Sequence, residues 1–129
     1  MPHFNIDYSA NLTGEIDLAA LVECVRQAAV ATGIFPLGGI RVRAHKAEAS
    51  TVADGRPEFA FLDLTLRLAT GRPLDVRKTA GQAIFDALSR HLDPAFAKRP
   101  IALSFEIKEI DPELSWRRNT VHDVVKGNS

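Results

Sequence analysis

The stretch from Phe59 to Ala69, FAFLDLTLRLA, alternates strictly, with Leu62, Leu64, Leu66 and Leu68 on one face and Phe61, Asp63, Thr65 and Arg67 on the other. A period of two belongs to a β-strand, so a long strand with one buried face anchors everything around it. The turn TGRP punctuates its end. From Leu74 to His91 the period changes. Ala80, Ile84, Leu88 and Leu92 recur at helical spacing, Arg77, Lys78 and Arg90 lie outside, and Asp93-Pro94 stops the helix. PIALSFEIKEI then returns to alternation, with Ile101, Leu103, Phe105 and Ile107 together.

The first half follows the same plan. His3 to Tyr8 alternates with Phe4, Ile6 and Tyr8 on one face. Leu18, Leu21, Val22, Val25 and Ala29 form an amphipathic helix, with Asp17 as N-cap and Gly33 as terminator. IFPLGG leads into a second strand in which Ile40, Val42 and Ala44 alternate with Arg41, Arg43 and His45. The predicted fold class is α+β. Tandem β-α-β repeats, about 2–47 and 59–110, form a four-stranded mixed sheet with two helices on one face, all within one domain, 1–129. Leucines and phenylalanines on both sides of several strands predict that the second sheet face is also buried, most simply against another subunit. AEASTVADGRPE reads as a loop joining the repeats, and 111–129 as a tail of mixed charge with a mobile end.

Charge narrows the partners. Sixteen basic residues balance sixteen acidic ones, so the broad electrostatic footprint of a nucleic-acid or anionic-membrane binder is absent and any anion recognition must be local. No apolar run approaches the roughly 20 residues that span a bilayer, the start lacks a signal-peptide pattern, and the single Cys24 cannot form an internal disulfide. A cytoplasmic protein is expected. His3, His45, His91 and His122 lack metal-ligand spacing. PLGGI is neither a phosphate-binding loop nor a dinucleotide fingerprint, there is no GxSxG, and Cys24 falls in the helical pattern as a small hydrophobe. No metal site is expected.

What remains is the chain start and two arginines. Proline behind the initiator methionine permits removal of Met1, which would leave Pro2 with a free secondary amine able to act as a base. Arg41 opens the second strand and Arg72 follows the third, in similar places of the two repeats. Arginine at such sites suits carboxylates, because its planar fork makes paired, charge-assisted hydrogen bonds. Arg43, Arg67 and Arg77 read as ordinary surface side chains. Phe35, Phe105 and Trp116 are candidates to wall a pocket, although ordinary core or interface packing explains each of them better.

PHFNIDYSANL, ATGIFPLGGIRVRAH, the ADG and GR turns and SFEIKEIDPEL resemble the 5-carboxymethyl-2-hydroxymuconate delta-isomerases of the tautomerase superfamily, in register from Pro2 to about Leu114. The resemblance implies a homotrimer, catalysis without cofactor by the amino-terminal Pro2, and Arg41 and Arg72 as the groups that hold and polarise a small di- or tricarboxylate during homoprotocatechuate (4-hydroxyphenylacetate) breakdown. WRRNTVHDVVKGNS extends beyond it, and the loop keeps the family's form more than its residues. Three other readings stand beside this one: a tautomerase of another keto-acid or unsaturated acid, a non-catalytic β-α-β module that keeps Met1 and only binds an acid, and a trimeric relative that has lost activity and binds the dicarboxylate without isomerising it.

Overall fold

β1 (His3–Ser9) runs parallel to β2 (Arg41–Ala47) on one side and antiparallel to β3 (Ala60–Ala69) on the other, and β3 pairs in parallel with β4 (Ile101–Ile110). The structure is a computed structural model that describes residues 1–127, and within them the strands form one mixed sheet of order β2-β1-β3-β4. α1 (Leu18–Thr32) connects β1 to β2, while α2 (Leu74–His91) and the short α3 (Asp93–Phe96) connect β3 to β4. The Asp17 carboxylate accepts from the Ala20 amide at 3.1 Å, and Gly33 closes α1 in the left-handed conformation. α2 follows Pro73 and carries Asp75 in its first turn and Arg90 and His91 in its last, charges that complement the helix dipole.

Both long helices cover one face of the sheet. Leu21, Val25 and Ala29 of α1 and Ile84 and Leu88 of α2 are buried with Phe4, Ile6 and Tyr8 of β1 and Leu62, Leu64, Leu66 and Leu68 of β3. Register explains the match: Leu66 stands opposite Phe4, Leu64 opposite Ile6 and Leu62 opposite Tyr8. Val42 and Ala44 of β2, and Leu103, Phe105 and Ile107 of β4, pair with these positions and join the same side.

The other face corrects one expectation. His3, Asn5 and Asp7 lie in rows with Arg41, Arg43 and His45, with Arg67, Thr65 and Asp63, and with Lys108, Glu106 and Ser104. It is mainly polar, with Phe61 and Ala102 and, at the strand ends, Ala47, Ala69 and Ile110 as its apolar positions, because in-register pairing gathers the leucines of β3 and β4 with Phe4 and Phe105 on the helix side. The tail differs too. Before its end the chain forms a turn at Pro112–Leu114 and then α4 (Thr120–Gly127), which packs on the 37–39 turn. Asn128 and Ser129, the last of the tail expected to be mobile, lie outside the described residues. Among the described residues no helix is long and apolar enough to cross a membrane.

Leu64 sits at the middle of β3, fully enclosed by the sheet and the helices. Leu64→Ala is expected to lower unfolding free energy by about 2–5 kcal/mol, read as a shifted urea midpoint with the helical circular dichroism of the native state unchanged.

Candidate active site at the chain start

β1 is a central strand, so its first residues are held between two neighbours. Pro2 is buried, its carbonyl accepts from the Arg41 amide at 3.3 Å, and His3 stands level with Arg41 on one side and Arg67 on the other. Backbone closeness is extreme beside it: a Cβ on Gly39 would lie 3.2 Å from the Pro2 ring and 3.5 Å from the Met1 sulfur. The chain start is thus pressed against the glycine turn at 37–39, where a larger residue would push it out.

The two arginines marked in the sequence approach this point from different directions. Arg41 sits on the polar-face side, and its Nη2 meets the Met1 sulfur at 3.8 Å. It makes no ion pair among the described residues. Arg72 lies near the loop that follows α1. Its Nε and Nη2 donate to the Ile34 carbonyl at 3.2 and 3.0 Å, and its Nη1 to the Ala69 carbonyl at 3.4 Å. The guanidinium also covers the Phe35 ring at 5.4 Å, and Phe35 packs edge-on against Phe4 of the core. Of five N–H donors, one on each terminal nitrogen remains for a ligand. The group is fixed before any ligand arrives. Arg77 contributes to this, since its Nε donates to the Arg72 carbonyl at 3.1 Å while its Nη1 pairs with Glu109 at 3.4 Å.

A third arginine is not marked by any sequence pattern. Arg117, in the segment between β4 and α4, borders two neighbouring clefts of about 580 and 370 Å³, both of which also touch Met1 and Asn119. Arg41, His3 and Trp116 line the larger one. The segment is clasped to the glycine turn: Asn119 Nδ2 donates to the Gly38 carbonyl at 2.9 Å, and Asn119 Oδ1 accepts from the His122 amide at 3.1 Å. The only clue in the sequence is RRN beside a tryptophan, and the separation of 81 positions from Gly38 to Asn119 hides the contact.

These charges act on the amino terminus. The Met1 ammonium is held below the ordinary α-amino value, first by burial and then by Arg117, Arg72 and Arg41, all of which oppose a further positive charge. His3 is pushed down to about 4 by burial first and then by Arg41, Arg67 and Arg43, and its buried Nδ1 has no hydrogen-bond partner among the described residues. Cys24 has its thiol raised, chiefly by burial, which removes thiolate character. Of the three aromatic candidates, Phe35 supports Arg72 and Trp116 walls the larger cleft. Phe105 lines a separate groove of about 420 Å³ between α2 and β4. No group of three or more His, Cys, Asp or Glu side chains is placed to hold a metal among the described residues.

The clasp has a direct test. A Cβ on Gly38 would lie 2.5 Å from the His122 Cα, too close for any adjustment short of moving backbone. Gly38→Ala is therefore expected to release α4, seen as fast amide exchange across 120–126, while the sheet core stays protected.

The family model described as 5-carboxymethyl-2-hydroxymuconate isomerase matches residues 2–125. The chain is similar to the 5-carboxymethyl-2-hydroxymuconate Delta-isomerase of Escherichia coli, with 40% identity over 126 residues, which is 98% of this chain and 100% of that protein. A crystal structure of a 5-carboxymethyl-2-hydroxymuconate isomerase from Deinococcus radiodurans R1 superposes with a TM-score of 0.90 at 35% identity, covering 96% of this chain and 93% of the other. A fused 4-OT, described as a wild-type symmetric trimer, shares the fold with a TM-score of 0.67 at 20% identity, covering 90% and 93%. The chain belongs to the 5-carboxymethyl-2-hydroxymuconate isomerase family, and the protein is an isomerase.

Proposed function

We propose that the enzyme isomerises 5-carboxymethyl-2-hydroxymuconate during homoprotocatechuate breakdown in the cytoplasm, with the amine of Pro2, freed by loss of Met1, as the proton carrier. The observation that carries this reading is an amino terminus seated among Arg117, Arg72 and Arg41, with its basicity lowered by burial and by those charges. Loss of Met1 transfers the free amine to Pro2, one residue deeper and already buried. The same causes then favour its neutral form. An α-amine has an ordinary pKa of about 8, so lowering it brings the base near working pH, where general-base catalysis is most effective.

The neutral amine takes the proton of the 2-hydroxyl group and becomes an ammonium. The electron pair moves along the diene from the oxygen to C5, and the ammonium returns its proton to C5, giving the conjugated 2-oxo isomer and regenerating the amine. Nothing is oxidised or reduced. Negative charge on the 2-oxygen develops only as the proton leaves, so a donor fixed beforehand stabilises the transition state more than the ground state. Arg72, locked by two carbonyls and Phe35, suits that oxygen and the carboxylate next to it. Arg41, whose nearest partner is a sulfur on the residue to be removed, suits a second carboxylate.

Assembly as a homotrimer belongs to the same proposal. Its support is the trimer described for the structurally similar fused 4-OT, together with the unpaired outer edge of β4 and the apolar groove beside it, lined by Leu74, Phe85, Phe105 and Ile107.

Intact mass is expected to show that active enzyme lacks Met1, and Pro2→Ala is expected to lower kcat on the order of 10² with the quaternary state unchanged. Full activity in protein that keeps Met1 would overturn the amine mechanism. The sign of the pH effect supplies another check. A base must be neutral in the free enzyme, so kcat/KM should rise with pH and level off above the amine pKa. Arg72→Ala removes a cation that opposes protonation, so besides lowering the rate it should move the acidic limb to higher pH.

A further inference from the structure

The proposed reaction assigns two arginines to an acid with three carboxylates: the two ends of the muconate chain and the carboxymethyl branch. Leaving the third in an apolar wall would strand a charge, and leaving it in water would give no means to prefer the branched acid. The molecule offers a further cation at the same place. Arg117 borders both clefts at the chain start, the larger one shared with Arg41. Its guanidinium makes no hydrogen bond or ion pair among the described residues. Arg118 is its neighbour in sequence, yet of the two clefts it lines the larger and not the smaller.

Resting on the isomerase reading above, we infer that Arg117 binds the carboxymethyl carboxylate and so determines preference for the branched tricarboxylate over a plain hydroxymuconate. The position of Arg117 is set by the clasp two residues later, where Asn119 holds the Gly38 carbonyl. Gly38 lies in the same short turn as Gly39, against which Pro2 is pressed. The turn therefore fixes the base on one side and the specificity arginine on the other, and the distance between them is built into backbone. Trp116, largely exposed at the rim of the larger cleft, forms an apolar wall along which the methylene of the branch can lie.

A purely electrostatic or structural role for Arg117 predicts something different. If Arg117 only lowered the basicity of the amine, or only held the tail in place, its loss would slow every substrate equally. Specificity separates the cases. Arg117→Ala and Arg117→Lys should be assayed with 5-carboxymethyl-2-hydroxymuconate and with 2-hydroxymuconate, which lacks the branch, and calorimetry should follow the saturated, unreactive forms of the same two acids. The expected result for Arg117→Ala is a 10- to 100-fold loss of kcat/KM on the branched acid, mostly in KM, of the size a charged hydrogen-bonded pair commands. Because loss of Arg117 also raises the amine pKa, both acids are compared on the pH plateau of each variant, where the branched acid should lose at least 10-fold more than the unbranched one, and Lys should restore much of that difference. Equal losses on both acids, or none on either, would overturn the assignment. If the wild type turns over neither acid, the isomerase reading fails. The calorimetric arm still decides the carboxylate assignment, since Arg117→Ala must then weaken only the branched analogue.

Discussion

Central placement of β1 is the constraint on which the rest depends. Hydrogen bonded to β2 and to β3 along its whole length, the first strand cannot fray as chain ends usually do. The amino terminus is therefore held at a defined height against the sheet, with Arg41 one strand away and the 37–39 turn against its side. An amine on a loose end would be fully solvated and would keep its ordinary basicity. Here burial of Phe4, Ile6 and Tyr8 secures the strand, and the same packing that stabilises the core immobilises the group proposed to carry the proton.

Electrostatics at this site works against the folded state in isolation. Several guanidinium groups converge on one amine, and His3 is surrounded by further arginines on the polar face. Part of the opposition is relieved internally: Arg72 directs its donors to the Ile34 and Ala69 carbonyls and lies over Phe35, dipoles and a ring face that offset its charge. The remainder favours the neutral amine, and no carboxylate of the chain forms an ion pair with Arg41 or Arg117 among the described residues. A chain with no net charge can thus present a strongly cationic cleft.

Much of this architecture is legible in the amino-acid sequence. Alternation in the strands, the Asp17 cap and the Gly33 terminator all follow from local periodicity and turn chemistry, and the folded chain uses them in those roles. What is not legible requires register. Leu103, Phe105 and Ile107 alternate just as well for either face, and only their pairing with Leu62, Leu64 and Leu66 shows that the second face is polar. Arg117 is hidden for the same reason: it is brought to the chain start by one bond between Asn119 and Gly38 and one close packing of His122 on a glycine. Nothing within a few residues of Arg117 encodes that.

Strand pairing in the order parallel, antiparallel, parallel gives the sheet an approximate two-fold axis between β1 and β3. The start of β1 is thereby related to the start of β3. A cavity of about 330 Å³, bordered by Asn11, Thr51, Arg56 and Phe59, lies at that second location. The two locations are near-images in architecture but differ in their surroundings, since Arg117, Arg72 and Arg41 act on the Met1 amine at one while Asn11, Thr51, Arg56 and Phe59 border the other. Duplicated architecture can therefore carry two unlike electrostatic environments at related positions, because the symmetry of the backbone does not extend to the side chains around it.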